Sequence, residues 1–251
     1  MNVKRYIIFL GLMSFCIGVC VYAPAQLMGT ALHQLSKNRL SLAYAEGSFW
    51  QGSGHILLNN VDQQADPVDM GIVNWKTQVM QLLAGKFAVH LTWNQGVPFW
   101  VTVDSSRLHI EHATFSLPAD IFSTLVPSFK TAQLGGQLEV RCDNFSLTKQ
   151  EILGQLEIDW NQASSPLSMI NPLGNYHAKF DGKGTGLTVQ LSTLNAGPLL
   201  VEGLGQWAEN GGFHFDGIAE ATPTAKTQLQ ELLRVMGNET TAGSGKYQLH
   251  F

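Results

Sequence analysis

The feature that most constrains this chain is a two-residue alternation of apolar and polar side chains that returns repeatedly after residue 86. Phe87, Val89, Leu91 and Trp93 interleave with Ala88, His90, Thr92 and Asn94, the period of a strand with one face on a core and the other in water. The pattern recurs in Val101 and Val103 around Thr102, Leu138 and Val140 around Glu139, and Leu156, Ile158 and Trp160 around Glu157 and Asp159. It continues through Tyr176, Ala178 and Phe180, then Leu187, Val189 and Leu191, then Phe213 and Phe215 against His214 and Asp216, and last Tyr247, Leu249 and Phe251. Turn formers punctuate the runs: Asn94-Gln95-Gly96, Gly135-Gly136, Asp181-Gly182, Asn195-Ala196-Gly197-Pro198 and Glu209-Asn210-Gly211-Gly212. Short strands with polar outer faces pair antiparallel. The expected fold is therefore mainly β, a curved antiparallel sheet or sheets of about ten short strands. Helical spacing is confined to residues 77–84 with Gly85 as C-cap, 118–125, and 223–236, where Leu229, Leu232, Leu233 and Met236 form one stripe and Gly237 closes. These short helices are expected to cover an edge or end of the sheet.

Ahead of the β region lies a segment of different character. Lys4 and Arg5 precede 18 uncharged positions from Tyr6 to Ala23, close to the ~20 residues that cross a hydrocarbon core as a helix. With no Lys or Arg in the next dozen residues, the positive-inside rule puts residues 1–5 in the cytoplasm and the bulk of the chain outside. Ala23-Pro24-Ala25 before Gln26 also fits the small-residue pattern of a cleaved signal peptide, but signal h-regions usually run only ~7–15 residues. A retained anchor is the favoured reading. The division is then residues 1–5 cytoplasmic, 6–23 transmembrane, 24–42 a juxtamembrane helix or linker carrying Leu27, Ala31, Leu32 and Leu35 at helical spacing, and 43–251 a periplasmic β domain.

Composition narrows the function. Only 14% of the residues are charged and the net charge is -4, which argues against a general nucleic-acid binder. Lys4 and Arg5 are the only charges before residue 26, so the scarcity belongs to the exported domain. A sheet with few charges to protect its edges is what partner-covered edges or faces would produce. Cys142 is the one thiol outside the apolar segment and shares the parity of Leu138 and Val140, as a small buried strand residue would. No characteristic catalytic spacing is present. Gly243-Ser244-Gly245-Lys246 lacks the helix a phosphate loop needs, and Gly182-Lys183-Gly184-Thr185-Gly186 leads into a strand, as a hairpin does. His109 and His112 project to opposite faces of a strand, which defeats joint metal ligation. No metal or cofactor is expected.

The most individual stretch is Gly47-Ser48-Phe49-Trp50-Gln51-Gly52-Ser53-Gly54, two glycines flanking an apolar pair at the entry to a first strand. Further along come Val73-Asn74-Trp75 leading to Gly85, Gly136-Gln137-Leu138-Glu139-Val140, Gly154 to Trp160, Gly203-Leu204-Gly205, and Leu232 to Gly237 before Gly245-Lys246-Tyr247. In this order, behind an anchor, they resemble type II secretion system protein N, also called general secretion pathway protein N. The resemblance marks Gly47, Ser48, Trp50, Gly52, Trp75, Gly85 and Trp160 as motif or interaction residues, with Lys4 and Arg5 as topology determinants. It implies a non-catalytic, single-pass inner-membrane protein of a Gram-negative cell, serving export of folded proteins across the outer membrane. The implied partners are other secretion components, such as the secretin and the inner-membrane platform. Trp75 and Trp160, each followed by a Gly and a strand, also raise two pseudo-repeats. The alternative function is an AsmA-like periplasmic lipid-handling module, its apolar sheet face holding acyl chains.

Overall fold

The computed structural model describes residues 22–250 apart from 61–65, 83, 126–129, 208–211 and 242, and positions 6, 10, 11, 13, 14 and 18 of the N-terminal segment. The described residues form fourteen strands in one open antiparallel sheet. Helix α1 (Gln26–Leu35) is followed by β1 (Leu40–Gly47), β2 (Gln51–Leu58) and β3 (Val68–Thr77), a single turn α2 (Val79–Leu82), then β4 (Phe87–Trp93), β5 (Phe99–Val103) and β6 (Arg107–Pro118). After α3 (Ile121–Leu125) come β7 (Gly135–Thr148), β8 (Ile152–Ser164), β9 (Gly174–Gly184), β10 (Gly186–Thr193), β11 (Leu199–Trp207) and β12 (Phe213–Ala221). Helix α4 (Lys226–Met236), β13 (Asn238–Glu239) and β14 (Lys246–His250) complete the chain. Each strand neighbours its predecessor, except that β14 inserts between β12 and β13.

The alternation read from the sequence supplies the inner face. Leu138 pairs with Trp160 and Trp160 with Tyr176; one row along, Val140, Ile158, Ala178 and Leu191 line up across four strands. Two clusters fill this face. One gathers Val73, Trp75, Trp93, Phe99, Leu138, Val140 and Cys142. The other sets the α4 stripe, Leu229, Leu232 and Leu233, against Val201, Phe215, Tyr247 and Leu249. Phe122 of α3 and Trp160 touch both.

The two ends of the strands differ. The β6–β7 connection with α3, the β8–β9 connection, and α4 lie at one end. At the other lie the β1–β2 turn, α2 and the short β5–β6 and β7–β8 turns. Both sheet edges are blunted against pairing. On β1, the Ser36 hydroxyl accepts from the Leu40 N–H and donates to its carbonyl, and the register slips between Ala43 and Glu46 with Tyr44 at φ 50. At the far edge, the two-residue β13 covers part of β14.

Several expectations need correction. The strand count is fourteen, not about ten, because β1, β2, β3, β6 and β11 carry weak or interrupted alternation. Asp181 and Gly182 do not form a turn: both lie in β9, and the reversal comes at Thr185. The helices expected over 77–84, 118–125 and 223–236 form only over Val79–Leu82, Ile121–Leu125 and Lys226–Met236. Gly85, at φ 71, does end the first of them, and its N–H bonds the Leu82 carbonyl. Among the described residues no helix is long and apolar enough to cross a membrane; most of the expected span, with Lys4 and Arg5, lies outside them.

Candidate functional site

Five of the motif residues, Gly47, Ser48, Trp50, Gly52 and Trp75, are brought together at the β1–β2 turn. Gly47 adopts φ 91, a left-handed conformation that favours glycine. The Ser48 N–H donates to the Gln51 carbonyl (2.8 Å), closing the turn. Trp75, from the adjacent β3, is buried, and its indole N–H donates to the carbonyls of both Ser48 and Phe49 at 3.2 Å. Its ring lies over Gly52: a β carbon there would sit 2.6 Å from the Trp75 ring and 2.3 Å from the Glu46 carbonyl. Glycine at position 52 is thus a packing requirement. Trp50 presents its carbonyl to the Thr77 N–H (2.7 Å) and its ring edge-on to Phe49, centroids 5.0 Å apart. Gly85 stands beyond the other end of α2 with open space around it.

A third chain segment completes the arrangement. The Phe49 N–H donates to the Ala23 carbonyl (2.8 Å), the Ala25 N–H to the Gly47 carbonyl (3.3 Å), and Pro24 bridges Ser48. Ala23 and Ala25 are buried. In the sequence these small residues fit a processing site as well as the end of a retained anchor; in the fold their size lets the chain lie flat against the turn, and nothing in their spacing announces that.

Trp160 is not part of this constellation. At the opposite strand end it repeats the same device: its indole N–H donates to the Gly135 carbonyl (3.0 Å), and a β carbon on Gly136 would meet its Nε1 at 2.9 Å. In both places a tryptophan lies over the second residue of the preceding strand, and that residue is glycine.

The outer face carries the charges. Arg141 on β7 bonds Asp159 on β8 (2.5 Å), and His177 on β9 bonds the other oxygen of Asp159 (2.6 Å). Burial opposes ionisation of Asp159, but the hydrogen bonds from His177 and Arg141 outweigh it and hold the carboxyl below its ordinary value. Cys142, buried on the other face, has its thiol pushed up to about 11 by burial, with the Asp143 charge adding to it. His109 bonds Ser146 and Glu111, whereas His112, at φ 51, stands beside Asp143 on β7. Among the described residues no cluster of three or more His, Cys, Asp or Glu side chains is placed to hold a metal.

A groove of about 860 Å³ runs over the outer face of β10, β11, β12 and β14, lined in part by Gln190, Glu202, Leu204, Asp216, Ile218 and Gln248. Within it Leu204 and Ile218 are 57% and 50% exposed. The sequence offers Leu204 only inside the Gly203-Leu204-Gly205 motif and Ile218 not at all, because at outward positions they break the alternation instead of reporting it.

Residues 38–250 match the family model described as Type II secretion system (T2SS), protein N. The chain belongs to this family. No curated protein and no solved structure gives a significant match. T2SS protein N is a component of the secretion system of Gram-negative envelopes, so the match also makes other secretion components its partners.

Proposed function

We propose that this chain is a non-catalytic component of the type II secretion machinery, anchored in the inner membrane by residues 6–23, with its β domain in the periplasm. It acts by contacting other subunits. Membership of the protein N family carries the reading. The hydrogen bonds between Ala23–Ala25 and the β1–β2 turn support a retained anchor, since they tie the end of the apolar stretch into the sheet.

The blunted edges direct the subunit contact to a face. Leu204 and Ile218 lie on the outer face among Glu202, Asp216 and Glu220, and a protein segment with apolar side chains suits that groove. The test is affinity purification of the full chain from cells that assemble the machinery, beside the variant L204D/I218D. The parent is expected to bring down secretin or platform subunits, and the variant about tenfold less of them, a loss of ~1.4 kcal/mol. Equal recovery would place the contact elsewhere; recovery of no secretion component by the parent would remove the proposal.

A lipid-handling role is favoured by one observation. Val103, Leu108, Leu147 and Ile152 form an apolar inner-face row at the β1–β2 end that no helix among the described residues covers, with Val103 and Leu147 exposed. Phospholipid co-purifying stoichiometrically with the chain, and lost in V103D/L147D, would support it.

A further inference from the structure

We propose that the strand ends around the β1–β2 turn rest on the periplasmic surface of the bilayer, with α2 inserted among the lipid headgroups. The inference rests on the anchor reading above and adds a lipid contact made by the folded domain itself.

Helix α2 has no buried residue. Of its four side chains Val79, Met80 and Leu82 are 51%, 76% and 37% exposed. A single turn that shows three large apolar groups to solvent gains nothing from the protein core. Such a surface marks a contact with something else.

Its location identifies the occupant. Thr77, which leads into α2, donates its N–H to the Trp50 carbonyl, and Phe87, which follows the connection, packs its ring 6.0 Å from Phe49. Alpha-2 therefore sits beside the β1–β2 turn, and that turn holds Ala23. The apolar stretch of residues 6–23 ends at this point, one residue beyond the exposed Tyr22. Backbone hydrogen bonds at Ala23 and Ala25 leave no slack between the end of the stretch and the sheet, and one residue spans at most ~3.6 Å. If residues 6–23 cross the bilayer, the turn and α2 are at its surface.

The chemistry of this end matches an interface. Tyr22 and Trp50 are the aromatic types that collect at headgroup level. Lys76 and Lys86, both exposed, bracket α2 and suit anionic phospholipid, while Glu46 is the one acid on β1. The long connections and α3 and α4 lie at the other strand end, which faces away from the membrane on this placement.

The experiment uses the full chain with Cys16 and Cys20 changed to Ala; Cys142 is buried and does not compete for label. A fluorophore is placed at Met80→Cys, at Leu82→Cys, or at Asn195→Cys on the opposite strand end. Each protein is reconstituted in nanodiscs of phosphatidylethanolamine and phosphatidylglycerol containing lipid brominated near the headgroup. Insertion to the ~5–10 Å typical of interfacial helices should quench the probes at 80 and 82 by about twofold or more and leave the probe at 195 unchanged. Probes at 80 and 82 no more quenched than the one at 195, in a chain that resists alkaline carbonate extraction from cell membranes, would overturn the lipid contact and leave the anchor standing. Release by carbonate would overturn the anchor and the contact together.

Discussion

Gly52→Ala puts the packing of the β1–β2 turn to a quantitative test. The added methyl would lie 2.3 Å from the Glu46 carbonyl oxygen and 2.6 Å from the Trp75 ring, both far inside van der Waals contact. The ring cannot swing aside without giving up its hydrogen bonds to Ser48 and Phe49, and the carbonyl belongs to the edge strand's own backbone. Overpacking of this kind costs about 1–3 kcal/mol, and the backbone clash puts it at the upper end. Replacing glycine also removes freedom from the unfolded chain, returning about 0.4–1 kcal/mol. The net loss is about 2 kcal/mol, or roughly 4–8 °C in melting temperature for a domain of this size. Thermal melts of the reconstituted full chain followed by circular dichroism read this directly. Gly186→Ala is the control: the nearest atom to its added methyl is 3.9 Å away, so it should melt within a degree or two of the parent. A Gly52→Ala melt as high as the control's would refute the packing argument.

Trp75→Phe keeps most of the ring and removes the donor, and should destabilise by about 1–2 kcal/mol in denaturant titration, one hydrogen bond shared between two acceptors plus a small void. Asp159→Asn should cost about 1–2 kcal/mol at neutral pH by unpairing Arg141 and His177. Because the folded Asp159 carboxyl titrates below its unfolded value of about 3.9, its contribution is complete above that pH and disappears as pH falls through the lower, folded value. The stability difference between parent and Asp159→Asn should accordingly shrink below pH ~4; a difference constant down to pH 2 would contradict the pairing. Cys142 should resist maleimide at pH 8 in the folded chain and react in denaturant, since burial both hides its thiol and disfavours the thiolate; rapid labelling of the native protein would contradict the burial.

Where the alternation was clean the sequence read the sheet correctly, as in β4, β8 and β10. It failed where backbone irregularities shift the parity mid-strand. In β6, Ile110 shares a face with Ala113, Phe115 and Leu117 because the parity turns over at His112, whose φ is 51, and at Asp143 opposite it on β7, while the register stays unbroken. In β3 the irregularity opposite Ile56 and Leu57, near Gly71, does the same between Met70 and Val73. Strand β11 was hidden for another reason: its inward positions 203 and 205 are glycines, and the space is filled from β12 by the rings of Phe215 and Phe213. An apolar side chain is present on that face, but the next strand supplies it. The β1–β2 site was legible as a run of unusual residues, yet its partners Trp75 and Ala23 each lie 26 positions from Phe49 along the chain, and no local spacing ties them to the turn. The outward exposure of Leu204 and Ile218 leaves no mark in the alternation, because the period reports only apolar side chains that share the interior face.

The claim that this chain works by contacting other secretion subunits through its outer face is tested most directly by crosslinking in living cells. A photo-activatable amino acid at Leu204, with one at Gln150 as the control, is irradiated in cells that assemble the machinery, and the adducts are identified by mass spectrometry. The account expects a discrete adduct with a type II secretion component at position 204 and none at 150. Adducts at neither position, or the same background adducts at both, would contradict it.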